Sequence, residues 1–195
     1  LTCDRPPIVN PPPQQGRALP ELKQAEIPPA PISGGTMATT RSGSLAVVAA
    51  PTREKVFIVS LDTRQTLASI AFEGEPGRVH IDARDQFAYV ANRRGSTVMK
   101  LNLHQPGQYA TLDVCQSPRG LAVDNQGQLH VACQTGIFQI VHPGSGEILA
   151  SFFIQEDLRD VIISQRRIFV TRFRSAELLE INRQGETISR RTPPE

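Results

Sequence analysis

Val47-Val48-Ala49-Ala50, Tyr89-Val90-Ala91-Asn92, His130-Val131-Ala132-Cys133 and Phe169-Val170-Thr171-Arg172 are one short phrase written four times. Its central residues Val48, Val90, Val131 and Val170 stand 42, 41 and 39 positions apart. A second phrase keeps the same beat. It runs through Val56-Phe57-Ile58-Val59, Thr97-Val98-Met99-Lys100-Leu101, Ile137-Phe138-Gln139-Ile140 and Glu177-Leu178-Leu179-Glu180-Ile181. A fixed period of this size means one supersecondary unit used repeatedly.

The unit is clearest over residues 116–156. Arg119-Gly-Leu-Ala-Val-Asp124 is a short apolar run, and Asn125-Gln126-Gly127 is a turn signal. Leu129-His-Val-Ala132 alternates, Gln134-Thr135-Gly136 turns again, and Ile137-Phe-Gln-Ile-Val141 is a third strand. Pro143-Gly144-Ser145-Gly146 leads into Ile148-Leu-Ala-Ser-Phe-Phe153. Short runs of branched and aromatic residues between Gly, Asn and Pro clusters are the hairpin pattern. No window carries an apolar stripe of helical period. Four antiparallel strands per unit make the blade of a β-propeller, so the predicted fold class is all-β. The blades are predicted at 36–75, 76–115, 116–156 and 157–195, with the first two strands of each near the axis and the fourth outermost.

Tyr89-Val-Ala-Asn-Arg-Arg-Gly-Ser-Thr-Val-Met-Lys-Leu, and Ser117-Pro118-Arg119-Gly120-Leu-Ala-Val-Asp with Gly127, carry a family resemblance. They resemble the Tyr-Val-Thr-Asn (YVTN) repeat of bacterial and archaeal surface and periplasmic β-propellers. The resemblance spans residues 36–190, best in the second unit and degraded in the first and fourth. Asp157-Leu-Arg-Asp-Val-Ile-Ile and Val170-Thr-Arg-Phe-Arg-Ser-Ala-Glu-Leu-Leu look most like the group in which a propeller accompanies a c-type cytochrome segment. Such propellers close with about seven blades, which implies that four blades are an incomplete arc of a larger ring. A closed four-bladed ring is the alternative. The resemblance further implies an extracytoplasmic place, periplasmic or at the cell surface, and haem c in a missing domain rather than in this chain.

The chain of 195 residues has net charge +2, neither a strong polyanion nor a strong polycation. No run of eighteen apolar residues is present to span a membrane as a helix. Residues 1–35 read as a Pro-rich leader, with Pro6-Pro7, Pro11-Pro12-Pro13, Pro28-Pro29 and Pro31. Such a segment favours extended polyproline structure and acts as a tether. The alternative is a segment that packs on the propeller or on a partner domain. The chain begins with Leu, which points to processing or cutting. Leu1-Thr2-Cys3 resembles the end of a lipoprotein signal, which would make Cys3 a lipidated membrane tether.

Cys115 lies just before the first strand of the third unit and Cys133 ends its second strand. Antiparallel pairing brings those ends together, which predicts a disulfide and an oxidising compartment; two buried thiols are the alternative. No Cys-x-x-Cys-His, Gly-x-Ser-x-Gly or phosphate-binding glycine loop is present. His80, His104, His130 and His142 lack zinc spacing, so no metal site is expected. With Trp absent and only two Tyr, no base-stacking strip offers itself to nucleic acid.

The basic residues keep order. Arg78, Arg119 and Arg159, 41 and 40 positions apart, open the first strand of units two, three and four. The loops between second and third strands end at the same face and bring Arg53 and Lys55, Arg93 and Arg94, and Arg172 and Arg174. Acidic residues are read as lying mostly elsewhere, and the expectation is a basic rim that binds a carboxylate- or phosphate-bearing partner. The alternative is that each arginine pairs with a nearby aspartate, as Asp160 beside Arg159. The chain is read as a non-catalytic, extracytoplasmic docking platform for another domain or chain that completes the propeller. It reads alternatively as the propeller part of a haem oxidoreductase, or as an adhesion module for acidic glycan.

Overall fold

The structure is a computed structural model that describes residues 35–192. Cys3 and the expected leader, except residue 35, lie outside the described residues. The first sheet holds β1 (Met37–Thr39), β2 (Leu45–Ala50), β3 (Lys55–Ser60) and β4 (Thr66–Ala71). The second holds β5 (Pro76–Ile81), β6 (Phe87–Asn92), β7 (Thr97–Asn102) and β8 (Tyr109–Asp113). β9 (Pro118–Val123), β10 (Leu129–Cys133), β11 (Ile137–Val141) and β12 (Ile148–Phe153) form the third. β13 (Leu158–Ser164), β14 (Arg167–Arg172), β15 (Leu178–Ile181) and β16 (Thr187–Arg191) form the fourth. Every neighbour pair is antiparallel and consecutive in sequence. The only helical turn among the described residues is a 3-10 turn over Pro51–Arg53. The described residues are therefore all-β, with four four-stranded blades.

Strand chemistry sets the layering. Inner strands carry small or branched residues that let neighbouring sheets approach, and they pack β1 and β2 on β5, β5 and β6 on β9, and β9 and β10 on β13. Outer strands β4, β8, β12 and β16 are mostly exposed and polar-tolerant. The apolar residues fall into three cores, one per blade junction. Val90 and Met99 of the second blade join the first core, Val131 joins the second, and Val170 and Leu179 join the third.

This assigns the repeat a physical phase. Register pairs Val48 with Met37 and Phe57, Val90 with Val79 and Met99, Val131 with Leu121, and Val170 with Val161 and Leu179. The central valine of each phrase thus faces the preceding blade. It is fully buried in the second, third and fourth blades and only half-buried as Val48 in the first. Met37, at the place of buried Val79, Leu121 and Val161, is 51% exposed. The opposite face of the fourth sheet shows the same pattern. Ile162 is 55% exposed where Ala38 and Ala122 are buried, and Phe169 is half-buried where Val47, Tyr89 and His130 are buried. Two sheet faces therefore display positions that the other blades bury.

Candidate functional site

The rim is built from strand ends. The loops entering β5, β9 and β13 meet the turns leaving β6, β10 and β14 at one mouth of the arc, and the fourth residue of the second, third and fourth phrases ties them together. Asn92 is buried; its Nδ2 donates to Glu73 O at 2.9 Å, and its Oδ1 accepts from the Glu75 and Gly95 amides. Cys133 takes the same place in the next blade and is bonded to Cys115, as the topology predicts. Arg172 takes it in the last and donates through Nε to Glu156 O at 3.0 Å. One position thus holds the inter-blade loop three times by three chemistries. Sequence reading missed this role for Asn92 and Arg172; the shared phrase position is the signal that carries it.

The arginines of the rim divide into two groups. Arg93 and Arg94 both pair with Glu75, and Arg172 pairs with Glu177, which also receives Arg190. These hydrogen-bonded cations hold the Glu177 carboxyl below its ordinary range, Arg172 foremost. Arg78 pairs with Asp160. Burial pushes the Asp160 carboxyl up by more than Arg78 pulls it down. The expectation that acidic residues lie mostly elsewhere is corrected here: Glu75, Asp160 and Glu177 stand among the basic residues and neutralise four of them.

The equivalence of Arg78 with Arg119 and Arg159 is also corrected. The pairings of Val79, Leu121 and Val161 with the phrase valines put Arg78, Gly120 and Asp160 at one repeat position. Arg119 and Arg159 stand one place earlier, at the position that Gly77 holds in the second blade. The extra step lies in the hairpin: the β5–β6 turn between paired Ile81 and Ala88 is one residue longer than the β9–β10 turn between paired Val123 and Leu129, while β5, β9 and β13 carry their bulge at the same place. A slip of one residue sends a strand side chain to the other face, so Arg78 reaches across the third blade instead of joining its numerical partners.

Arg119, Arg159 and Arg174 remain. They line one cup of about 210 Å³ with Gln134, Asp157, Leu158 and Phe173, between the third and fourth blades. Arg119 donates through Nε and Nη2 to Gln134 Oε1, at 3.2 and 2.6 Å. The Arg159 guanidinium lies 4.9 Å from the Phe173 ring centroid, and Phe173 is 65% exposed. The Arg174 amide donates to Asp157 Oδ2 at 2.6 Å. None of the three guanidiniums has a carboxylate partner among the described residues. Burial lowers Arg119 from its ordinary value, and the nearby positive charges of Arg93 and Arg159 lower it further. Arg53 and Lys55 line a separate groove with Arg94, between the first two blades.

At the opposite mouth, Asp124 is a hub. Its Oδ1 accepts from the Gln126 and Gln128 amides, each at 2.9 Å, and its Oδ2 accepts from His130 Nε2 at 3.1 Å and Arg183 Nη2 at 2.6 Å. Burial alone would raise its carboxyl, but these bonds hold it below the ordinary range. His130 is fully buried, and burial lowers its imidazole despite Asp124. In the axial wall, His80 Nε2 accepts from the Val123 amide at 3.1 Å, and burial lowers this imidazole from 6.5 to about 4.

No family model matches the chain, and no curated protein does. Solved structures do. A chain of Kuenenia stuttgartiensis hydrazine synthase matches with TM-score 0.72 and 18% identity, over 80% of this chain and 48% of that one. The β-propeller domain of Cps50 (Swd1) from Myceliophteria thermophila matches with TM-score 0.66 and 13% identity, over 76% of this chain and 51% of that one. A chain of the mitotic checkpoint complex matches with TM-score 0.69 and 14% identity, over 80% and 50%. At these identities the likeness defines the fold: the chain is a β-propeller segment. It spans about half the length of the solved chains it matches.

Proposed function

We propose that this chain is a non-catalytic, extracytoplasmic propeller segment that serves as a docking platform for another protein domain or chain. The observation that carries the reading is the pair of apolar end faces. Met37, Val48, Ile162 and Phe169 occupy positions that other blades bury, and here they stay exposed or half-buried. Apolar sheet faces of this kind are contact surfaces. The matched mitotic checkpoint chain is a member of a complex by its name, which accords with a protein partner. Arg119, Arg159 and Arg174 of the rim supply a second, charged contact, and the Cys115–Cys133 bond supports an oxidising compartment. On this reading Cys3 is a lipid tether.

Light scattering on the purified chain tests the reading. The parent is expected to self-associate or to bind an apolar dye. Val48→Asp and Phe169→Asp are expected to abolish both and leave blade unfolding intact, whereas Val90→Asp unfolds the protein. A dispersed parent monomer that binds no dye removes the basis of the proposal. The alternative, the propeller part of a c-type cytochrome enzyme with its haem outside this chain, draws support from the likeness to a synthase. A Cys-x-x-Cys-His motif in flanking coding sequence would favour it.

A further inference from the structure

The cup between the third and fourth blades has more chemistry than positive charge. One wall is cationic, with the Arg119, Arg159 and Arg174 side chains. Another is apolar, with the exposed Phe173 ring above buried Leu158. A third is acidic: Asp157 uses Oδ2 for the Arg174 amide, and its Oδ1 accepts no hydrogen bond among the described residues. The two arginines nearest the axis are pre-shaped. Arg119 is held along one edge by Gln134, and Arg159 is laid on the Phe173 ring, so each guanidinium keeps N–H groups on its remaining edge. Held arginine forks lose little freedom on binding and match the two oxygens of a carboxylate.

We propose that this cup is the receptor for one carboxylate side chain carried beside an apolar residue, presented by an acidic segment of a protein partner. The proposal rests on the rim being a docking face. The carboxylate enters between Arg119 and Arg159. The neighbouring apolar side chain covers the open part of the Phe173 ring, and a backbone N–H of the segment donates to Asp157 Oδ1. A tetrahedral dianion fits poorly, because it offers nothing to the ring and brings its charge against Asp157. At about 210 Å³ the cup takes one or two side chains rather than a whole fold. Arg78, Arg93, Arg94 and Arg172 are excluded as primary contacts, since each already meets a carboxylate.

The test uses the full chain and a labelled peptide, Gly-Phe-Glu-Leu-Gly with blocked ends. Its Gln counterpart, inorganic phosphate and glucuronic acid are competitors, and fluorescence anisotropy is the readout. The Glu peptide is expected to bind about tenfold or more tightly than the Gln peptide, the range of one charge-assisted contact. Arg159→Ala and Phe173→Ala should each weaken it by a similar factor. Arg94→Ala, a rim change outside the cup, should leave it unchanged. Thermal melts confirm that the exposed substitutions leave the fold whole. Equal binding of the Glu and Gln peptides overturns the proposal. So does glucuronate or phosphate displacing the Glu peptide at equal concentration, which would assign the cup to glycan or to simple anions. If phosphate binds and Arg119→Gln abolishes it while the peptides do not differ, the rim reading survives and this inference alone fails. If no anion responds to Arg119→Gln or Arg159→Ala, both fail together.

Discussion

Gly120→Ala should separate the fourth blade from the third. Gly120 does not sit at positive φ, so the glycine is not needed for backbone conformation. It is needed for space. A Cβ built there lies 2.8 Å from Asp160 Cα, 2.9 Å from Asp160 C and 2.9 Å from Val161 N. These are backbone atoms of β13, which cannot swing aside as a side-chain tip can. Ordinary contact begins near 3.4 Å, so β13 must retreat by roughly half an ångström or more along the tightest inner junction. Overpacking of this kind costs about 1–3 kcal/mol. The cost falls at the upper end here, because the same movement pulls Asp160 from Arg78. For a domain of this size the melting temperature should drop by about 2–4 °C per kcal/mol. Calorimetry measures the drop, and amide exchange should show β13 and β14 losing protection while β5 and β6 keep theirs. Gly127→Ala is the control: it sits at φ +78° with nothing within 4 Å of the added Cβ, so it carries backbone strain without inter-blade crowding. Its loss should leave β13 protection unchanged. A Gly120→Ala protein with parental melting and exchange would refute the packing argument.

Reduction of Cys115–Cys133, which spans 18 residues of sequence, should cost about 3 kcal/mol by loop-closure entropy, read as a lower melting temperature in reductant; an unchanged melt counts against it. Stability should also fall with acid through His80. Its folded value of about 4 lies below the 6.5 of the free imidazole, so the unfolded chain takes the proton first. Stability from this group is whole above pH 6.5 and is lost as pH falls through 4, by about 3 kcal/mol at most. Urea midpoints across that window should flatten in His80→Gln, and an identical slope in the variant rejects the assignment. Asp124→Ala removes the acceptor of four donors, among them buried His130 and half-exposed Arg183, and should cost about 3 kcal/mol or more in urea unfolding; a loss under about 1 kcal/mol would show that water replaces the carboxylate.

The repeat made the fold legible because period and burial have one cause. Val90, Val131 and Val170 recur because each closes a junction with the blade before it, and that demand prints itself on the sequence. The disulfide was legible for the same reason, since hairpin topology alone brings Cys115 to Cys133. The rim was legible only in part. Arg119, Arg159 and Arg174 do converge, but Arg78 does not join them, because the longer β5–β6 turn sets it one step away from their place in the strand, which sends its side chain to the other face. Neutralisation by Glu75 and Glu177 was hidden too. Glu75 shares its place with Ser117 and Asp157, so the carboxylate skips a blade, and Glu177 stands where the other blades have Lys55, Thr97 and Ile137. The Asp124 hub draws Arg183 from 59 positions away, a separation that no local pattern announces.

The three anchors at the fourth phrase position do not fail together. A reductant cuts Cys133 from Cys115 and leaves the amide bonds of Asn92 and the guanidinium bonds of Arg172 in place. Concentrated salt acts only weakly on the Arg172–Glu177 pair, whose side chains are mostly buried, and does not cut the Arg172 bond to the Glu156 carbonyl that holds the loop. The Asn92 anchor answers to neither agent. Only the loop tied by Cys133 can therefore be released while the other two with the same geometric task hold. An experimenter can address that sector of the mouth by redox conditions alone, without altering a residue.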